Sequence, residues 1–152
     1  MKKHLLIIYH SQSGNTAQLA QALMRGCQAE AEVETKLSTA FAANVENLLW
    51  ADGLLLGTPE NFGTMSGALK DFFDRTYYPA EQHQLNLPYA LFISAGNDGT
   101  GAVREIDRIV SGYPMKKIAP PLIVKGAINR DHLQQCEEFG LSMATGLAMG
   151  IF

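Results

Sequence analysis

Cysteine is scarce in this chain. Cys27 and Cys136 are the two present among 152 residues, and each falls in a helical pattern. That excludes a disulfide scaffold and points to buried thiols in a reducing cytoplasm. Basic charge is not in excess either: 12 Lys and Arg stand against 15 Asp and Glu, a formal net charge of −3. Such a balance gives no reason to expect nucleic acid or an acidic membrane as the main partner. Long apolar runs are missing too. Met1-Lys2-Lys3-His4 leads into a few apolar residues, so no secretory segment is expected there. The apolar stretch from Met143 to Phe152 is too short to span a bilayer and is broken by Gly146 and Gly150. His4, His83 and His132 lack the spacing of metal ligands, so no metal is expected. Repeats, linkers and low-complexity tracts are absent, and the length suits a single domain over residues 1–152.

What remains is an alternation of two patterns. Continuous apolar runs occur at Leu5 to Tyr9, Gly53 to Gly57, Tyr89 to Ser94 and Leu122 to Lys125. Each reads as a strand covered on both faces. Glu32 to Leu37 alternates and reads as a weaker strand. Helical spacing fills the intervals: Thr16 to Cys27, Asn44 to Trp50, a helix from Ser66 through Tyr77, Thr100 to Ser111, and Asp131 to Gly150. The pair Tyr77-Tyr78 followed by Pro79 is expected to end the third helix. Five β-α units of this kind predict an α/β fold: a doubly wound five-stranded parallel sheet with helices on both faces.

In such sheets ligands bind beyond the strand C-termini, where the strand order reverses. Three loops leave those ends with unusual composition: Ser11 to Thr16, Thr58 to Thr64 and Ser94 to Thr100. The first, Ser11-Gln12-Ser13-Gly14-Asn15-Thr16, opens a helix, whose first N–H groups lack partners and whose dipole favours an anion. Hydroxyls and an amide surround that point, Gly14 lets the chain bend, and no Lys or Arg is present. The pattern suits a terminal phosphate held by dipoles. It is neither a nucleoside-triphosphate P-loop, which needs Lys-Ser/Thr, nor the Gly-x-Gly-x-x-Gly dinucleotide fingerprint. A plain Ser/Asn/Thr helix cap is the competing reading of the loop alone. Arg104 and Arg108 read as a solvated helix face, and His10 as a polar loop residue.

With those residues in view, the first loop resembles the FMN-phosphate loop of the flavodoxin-like flavoproteins. The stretch "GTPENFGTMSGALKDFFDRT" resembles the second flavin loop and following helix of the NAD(P)H-dependent FMN and quinone reductases, nearest to the tryptophan-repressor-binding-protein type. The resemblance implies FMN as cofactor. It places Ser11, Gln12, Ser13, Gly14, Asn15 and Thr16 at the phosphate. Thr58, Pro59, Glu60, Asn61, Phe62 and Gly63 fall beside the ring and ribityl chain. Ser94, Ala95, Gly96, Asn97, Asp98 and Gly99 fall at the pyrimidine end. Backbone N–H groups there would stabilise negative charge on reduced flavin, and Glu60 or Asp98 would oppose it. The implied reaction takes hydride from NAD(P)H and passes electrons to a quinone or other small acceptor, with no catalytic side chain assigned. The alternative is an electron carrier between redox partner proteins, and a domain that acts through protein contacts without flavin is a third. The third loop lacks the tyrosine of flavodoxins proper, and −3 is mild for a carrier. Both lean toward the enzyme. The chain is short for a quinone reductase that dimerises through insertions, which leaves nicotinamide use and a homo-oligomer as open expectations.

Overall fold

In the computed structural model, which describes residues 1–152, strands and helices alternate almost throughout. The order is β1 (Lys3–Tyr9), α1 (Asn15–Gln28), β2 (Val33–Thr39), α2 (Val45–Trp50), β3 (Gly53–Pro59), α3 (Gly67–Glu81), β4 (Leu87–Ala95), α4 (Thr100–Val110), β5 (Met115–Lys117), β6 (Leu122–Lys125) and α5 (Arg130–Ala148). All strand pairs are parallel and the order is β2-β1-β3-β4-β5, with β6 also on β4. The order reverses between β1 and β3, the switch point at which such sheets bind ligands.

The alternation along β1 divides the core. Leu6 and Ile8 face one side, where Leu48, Leu69, Phe72, Phe73, Ile106 and Val110 pack from α2, α3 and α4. Leu5 and Ile7 face the other, under Leu19, Leu23 and Cys27 of α1 and Cys136, Met143 and Leu147 of α5. Period-2 side-chain direction in a strand covered on both faces requires this division. On the second face α1 and α5 lie unusually close. A Cβ on Gly26 would overlap the Glu137 carbonyl, and one on Gly140 would overlap the Leu23 carbonyl.

Two expectations change. The predicted five-stranded sheet has six strands, because its last position is built from two short pieces. β5 pairs with Leu87–Tyr89 and β6 with Phe92–Ala95 of the same strand. Pro120 and Pro121 lie between the pieces and cannot donate to a ladder. The Met-Lys-Lys of β5 is too short and polar to show a strand pattern. Helix α3 also continues past Tyr78, since Pro79 lies inside it and the helix closes at Glu81.

Both thiols are free and buried. The Cys27 thiol donates to the Gly140 carbonyl at 3.3 Å, and burial pushes its pKa up to about 12. Burial likewise raises Cys136 to about 11. Neither holds appreciable thiolate, the reactive form, at pH 8. Native protein is expected to resist a maleimide at that pH and to react at both cysteines once denatured. Rapid labelling of the folded protein would contradict this packing.

Candidate functional site

The loops after β1, β3 and β4 meet over the switch point. They enclose a hollow of about 220 Å³ lined by Ser13, Asn15, Pro59, Glu60, Asn61, Ser94, Ala95, Gly96 and Gly126. Eight of the nine lie in the three loops singled out above. Pockets for cofactor-sized ligands begin near 300 Å³, so such a ligand would extend onto the open rim. Larger hollows exist: one of about 450 Å³ between α5 and the tail residues Ile151 and Phe152 contains no loop residue, and one of about 400 Å³ takes Asn61, Phe62 and Thr64 from loop two alone, with Glu105 and Ile109 of α4.

Loop one turns at Gly14, whose φ of 101° is left-handed and opens space where a side chain would stand. Ser11 is bound inward: its Oγ accepts from the N–H of Gly14 at 3.2 Å and of Ala17 at 3.1 Å. Its hydroxyl proton remains available to an acceptor. Asn15 and Thr16 occupy the first helical positions, where no carbonyl lies one turn behind their N–H groups. Thr16 itself is buried, and its hydroxyl shares a 2.7 Å hydrogen bond with Ser94 at the end of β4. Its side chain therefore ties loop one to loop three.

Loop two carries a two-residue hairpin turn. Asn61 and Thr64 exchange backbone hydrogen bonds of 2.9 and 3.0 Å across Phe62 and Gly63, whose φ values are 53° and 73°. Paired positive φ is what such a turn demands, and a phenylalanine there is strained. The Phe62 ring is fully exposed at the tip. Thr58 is buried, its Oγ1 accepting from the Ser66 N–H at 2.9 Å, which fixes the start of α3. Asn61 donates to the Gln12 side chain at 3.2 Å and so bridges loops one and two.

Glu60 makes the link to loop three. Its Oε1 accepts from the Gly99 N–H at 2.9 Å, and its Oε2 from Gly101 at 3.0 Å and Ala102 at 3.2 Å. A carboxylate from the loop after β3 thus caps α4, whose own N-cap, Gly99, has no side chain. Gly101 abuts the Gly63 carbonyl so closely that a Cβ would overlap it. In loop three, Gly96, Asn97 and Asp98 are exposed, and the Asp98 carboxylate accepts from the Thr100 hydroxyl.

Among the residues assigned by resemblance, Ser13, Asn15, Pro59, Glu60, Asn61, Ser94, Ala95 and Gly96 therefore line the hollow. Ser11, Gln12, Gly14, Thr16, Thr58, Gly63 and Gly99 shape or tie its loops, while Phe62, Asn97 and Asp98 are exposed and line no part of it. Gly126 was missed by sequence reasoning. It follows β6 with φ 76°, and its N–H donates to the Ala95 carbonyl at 2.8 Å. Its signal was available: a glycine just past a strand C-terminus, like the others. Arg104 and Arg108 are exposed and line no part of the hollow.

A parallel sheet of this order, with polar glycine-bearing loops gathered at its switch point, defines a flavodoxin-like α/β domain. Residues 16–121 match the model of the NADPH-dependent FMN reductase family, and the chain belongs to that family. It is 39% identical over 70 residues to a flavodoxin of Aquifex aeolicus, covering 46% of this chain and 38% of the relative. Over 172 residues it is 24% identical to an NAD(P)H dehydrogenase (quinone) of Syntrophus aciditrophicus, covering 95% and 85%. Among the curated relatives matched first, the chain spans between 38% and 60% of their length. An archaeal flavodoxin structure superposes with a TM-score of 0.83 at 22% identity, covering 95% of this chain and 98% of the other. A WrbA-like protein of Agrobacterium tumefaciens gives 0.81 at 16% identity, covering 97% and 99%.

Proposed function

We propose that this chain binds FMN over the C-terminal ends of β1, β3 and β4 and works as an NAD(P)H-dependent oxidoreductase toward a quinone or another small acceptor. The observation that carries the reading is the convergence of all three loops on one hollow beside the start of α1, where Ser11 takes up the Ala17 N–H and the glycine N-cap offers no side chain. The residues fit the cofactor. Free helix N–H groups, the Ser13 hydroxyl and the Asn15 amide offer donors to a phosphate without a cation. Gly14 and Gly96 have open space where side chains would intrude, which lets a ligand approach the backbone.

Bound flavin supplies the hydride and electron chemistry; the protein contributes placement and electrostatics. Loop one anchors the phosphate end. Thr16 and Ser94 hold the end of β4 against that anchor, and Glu60 holds loop three against loop two. Loop three, with Gly96, Asn97 and Asp98 exposed, carries no aromatic ring, which leaves room there for a nicotinamide beside the flavin. The family membership and the quinone-dehydrogenase relative support this reading, and free buried thiols suit a reducing compartment such as the cytoplasm.

Rapid mixing of FMN-loaded protein with NADH or NADPH is expected to bleach the flavin absorbance within seconds, and a quinone should restore it. Flavin that stays oxidised for minutes with both nucleotides, yet accepts single electrons from a protein donor, would instead make this an electron carrier.

A further inference from the structure

Nothing in the flavin cleft accounts for Phe62. Its φ of 53° suits asparagine or glycine, and the ring gains no burial in return, being fully exposed. It stands instead at the edge of the hollow of about 400 Å³ behind loop two, a size within the range of small-ligand sites. That hollow lies between the tip of loop two, the first turns of α3 and one face of α4. At Gly67 its wall is bare backbone with open space where a side chain would stand, and Met65 and Ile109 add apolar surface. Two charged side chains line it, and one of them has a partner. The Lys70 ammonium is held by Asp74, one turn further along α3, at 2.7 Å. Glu105, half-buried on α4, has no cationic group within ion-pair distance. The hollow therefore combines an exposed aromatic ring with an uncompensated carboxylate.

We infer that this hollow is a second binding site, for a small planar aromatic cation, with Glu105 supplying the counter-charge and Phe62 the covering ring. A flat cation meets the negative face of Phe62 and the Glu105 carboxylate together. A neutral ring keeps the stacking alone, and an anion is repelled by Glu105. Backbone strain gathers at ligand clamps and persists where the surrounding structure over-determines it. Here the Asn61–Thr64 hydrogen bonds and the contact of Gly101 with the Gly63 carbonyl supply that constraint. The site is also joined to the flavin cleft. Asn61 lines both hollows, and its amide donates to Gln12 of loop one. A cation seated here braces loop two, so it and FMN should strengthen each other's binding by the same factor. That coupling, unlike the site itself, rests on the FMN reading above.

Benzamidine, benzamide and benzoate share one shape and carry positive, zero and negative charge. Calorimetric titration of the full chain at constant ionic strength should show the benzamidinium cation binding about tenfold more tightly than either of the others. Glu105→Gln should abolish that preference and leave FMN affinity unchanged in cation-free buffer. Phe62→Asn should weaken the cation severalfold yet raise the thermal midpoint, because asparagine accepts the left-handed conformation. Equal binding of the three probes would overturn the site. So would a preference for the cation that survives in Glu105→Gln, or a Phe62→Asn variant that binds it as wild type does. Saturating benzamidine should tighten FMN binding severalfold in wild type and not in Glu105→Gln. An FMN affinity indifferent to the cation would overturn the coupling alone. A chain that binds the cation through Glu105 but no FMN would overturn the FMN reading and leave the site standing.

Discussion

Gly140→Ala is expected to cost about 2 kcal/mol or more of folding stability, although alanine is the better helix former. The added methyl group meets the Leu23 carbonyl and the Cys27 backbone nitrogen of α1. Backbone cannot rotate aside, so α5 must move away from α1 and loosen Leu19, Leu23, Met143 and Leu147 over the sheet. Overpacking of this kind costs about 1–3 kcal/mol, and sometimes more. The helix-propensity gain of about 1 kcal/mol offsets part of it. Gly146→Ala, six residues on in the same helix, supplies the contrast. Its new methyl group meets the Phe152 ring, a side chain of the exposed C-terminal tail that can swing away. Urea midpoints should place Gly140→Ala well below wild type and Gly146→Ala close to it. Equal midpoints for the two variants would mean that α1 and α5 are not locked together as described.

FMN should bind at least a hundredfold more tightly than riboflavin. The two differ by one phosphate, and loop one offers that group N–H and hydroxyl donors but no counter-charge. A hydrogen bond to a charged group contributes about 1.5–3 kcal/mol, so two such bonds already exceed the roughly 2.7 kcal/mol of a hundredfold ratio. FAD, whose phosphate continues into a second one, should bind less well than FMN. Ser13→Ala and Asn15→Ala should each lower FMN affinity and leave riboflavin nearly unchanged, since their side chains line the hollow. Thr16→Val should touch both flavins alike, because that hydroxyl is buried and ties loop one to Ser94 rather than lining the hollow. Fluorescence titration of apoprotein with the two flavins measures all of this, and equal affinities would remove the phosphate site.

Much of the architecture was legible because it rests on local patterns. Leu5 to Tyr9 and Gly53 to Gly57 announce strands covered on both faces, and Asn44 before a helical run announces the cap that the structure places there. The three polar loops were legible for the same reason: each interrupts an apolar run with glycine and hydroxyls. What escaped was non-local. The contact between Glu60 and α4 joins residues 39 to 42 positions apart, and nothing in the sequence near Gly99 says that its helix is capped from another loop. Thr16 also has a partner that no local pattern announces, the Ser94 hydroxyl 78 residues away. Met115–Lys117 escaped for a different reason, being a strand by virtue of its neighbour β4 and not of its own side chains.

That divided strand also bears on how the molecule behaves in a crowded solution. A long, regular outer strand is a template on which another chain can extend the sheet, the first step toward aggregation. Here one border consists of three residues and then four, with Pro120 and Pro121 interrupting any continuous row of donors. The opposite border, β2, places exposed Glu34 and Lys36 along its length, charges that an incoming strand would have to desolvate. Both borders resist uncontrolled growth, and the sheet keeps its strongest hydrogen-bonding strands, β1, β3 and β4, in the interior.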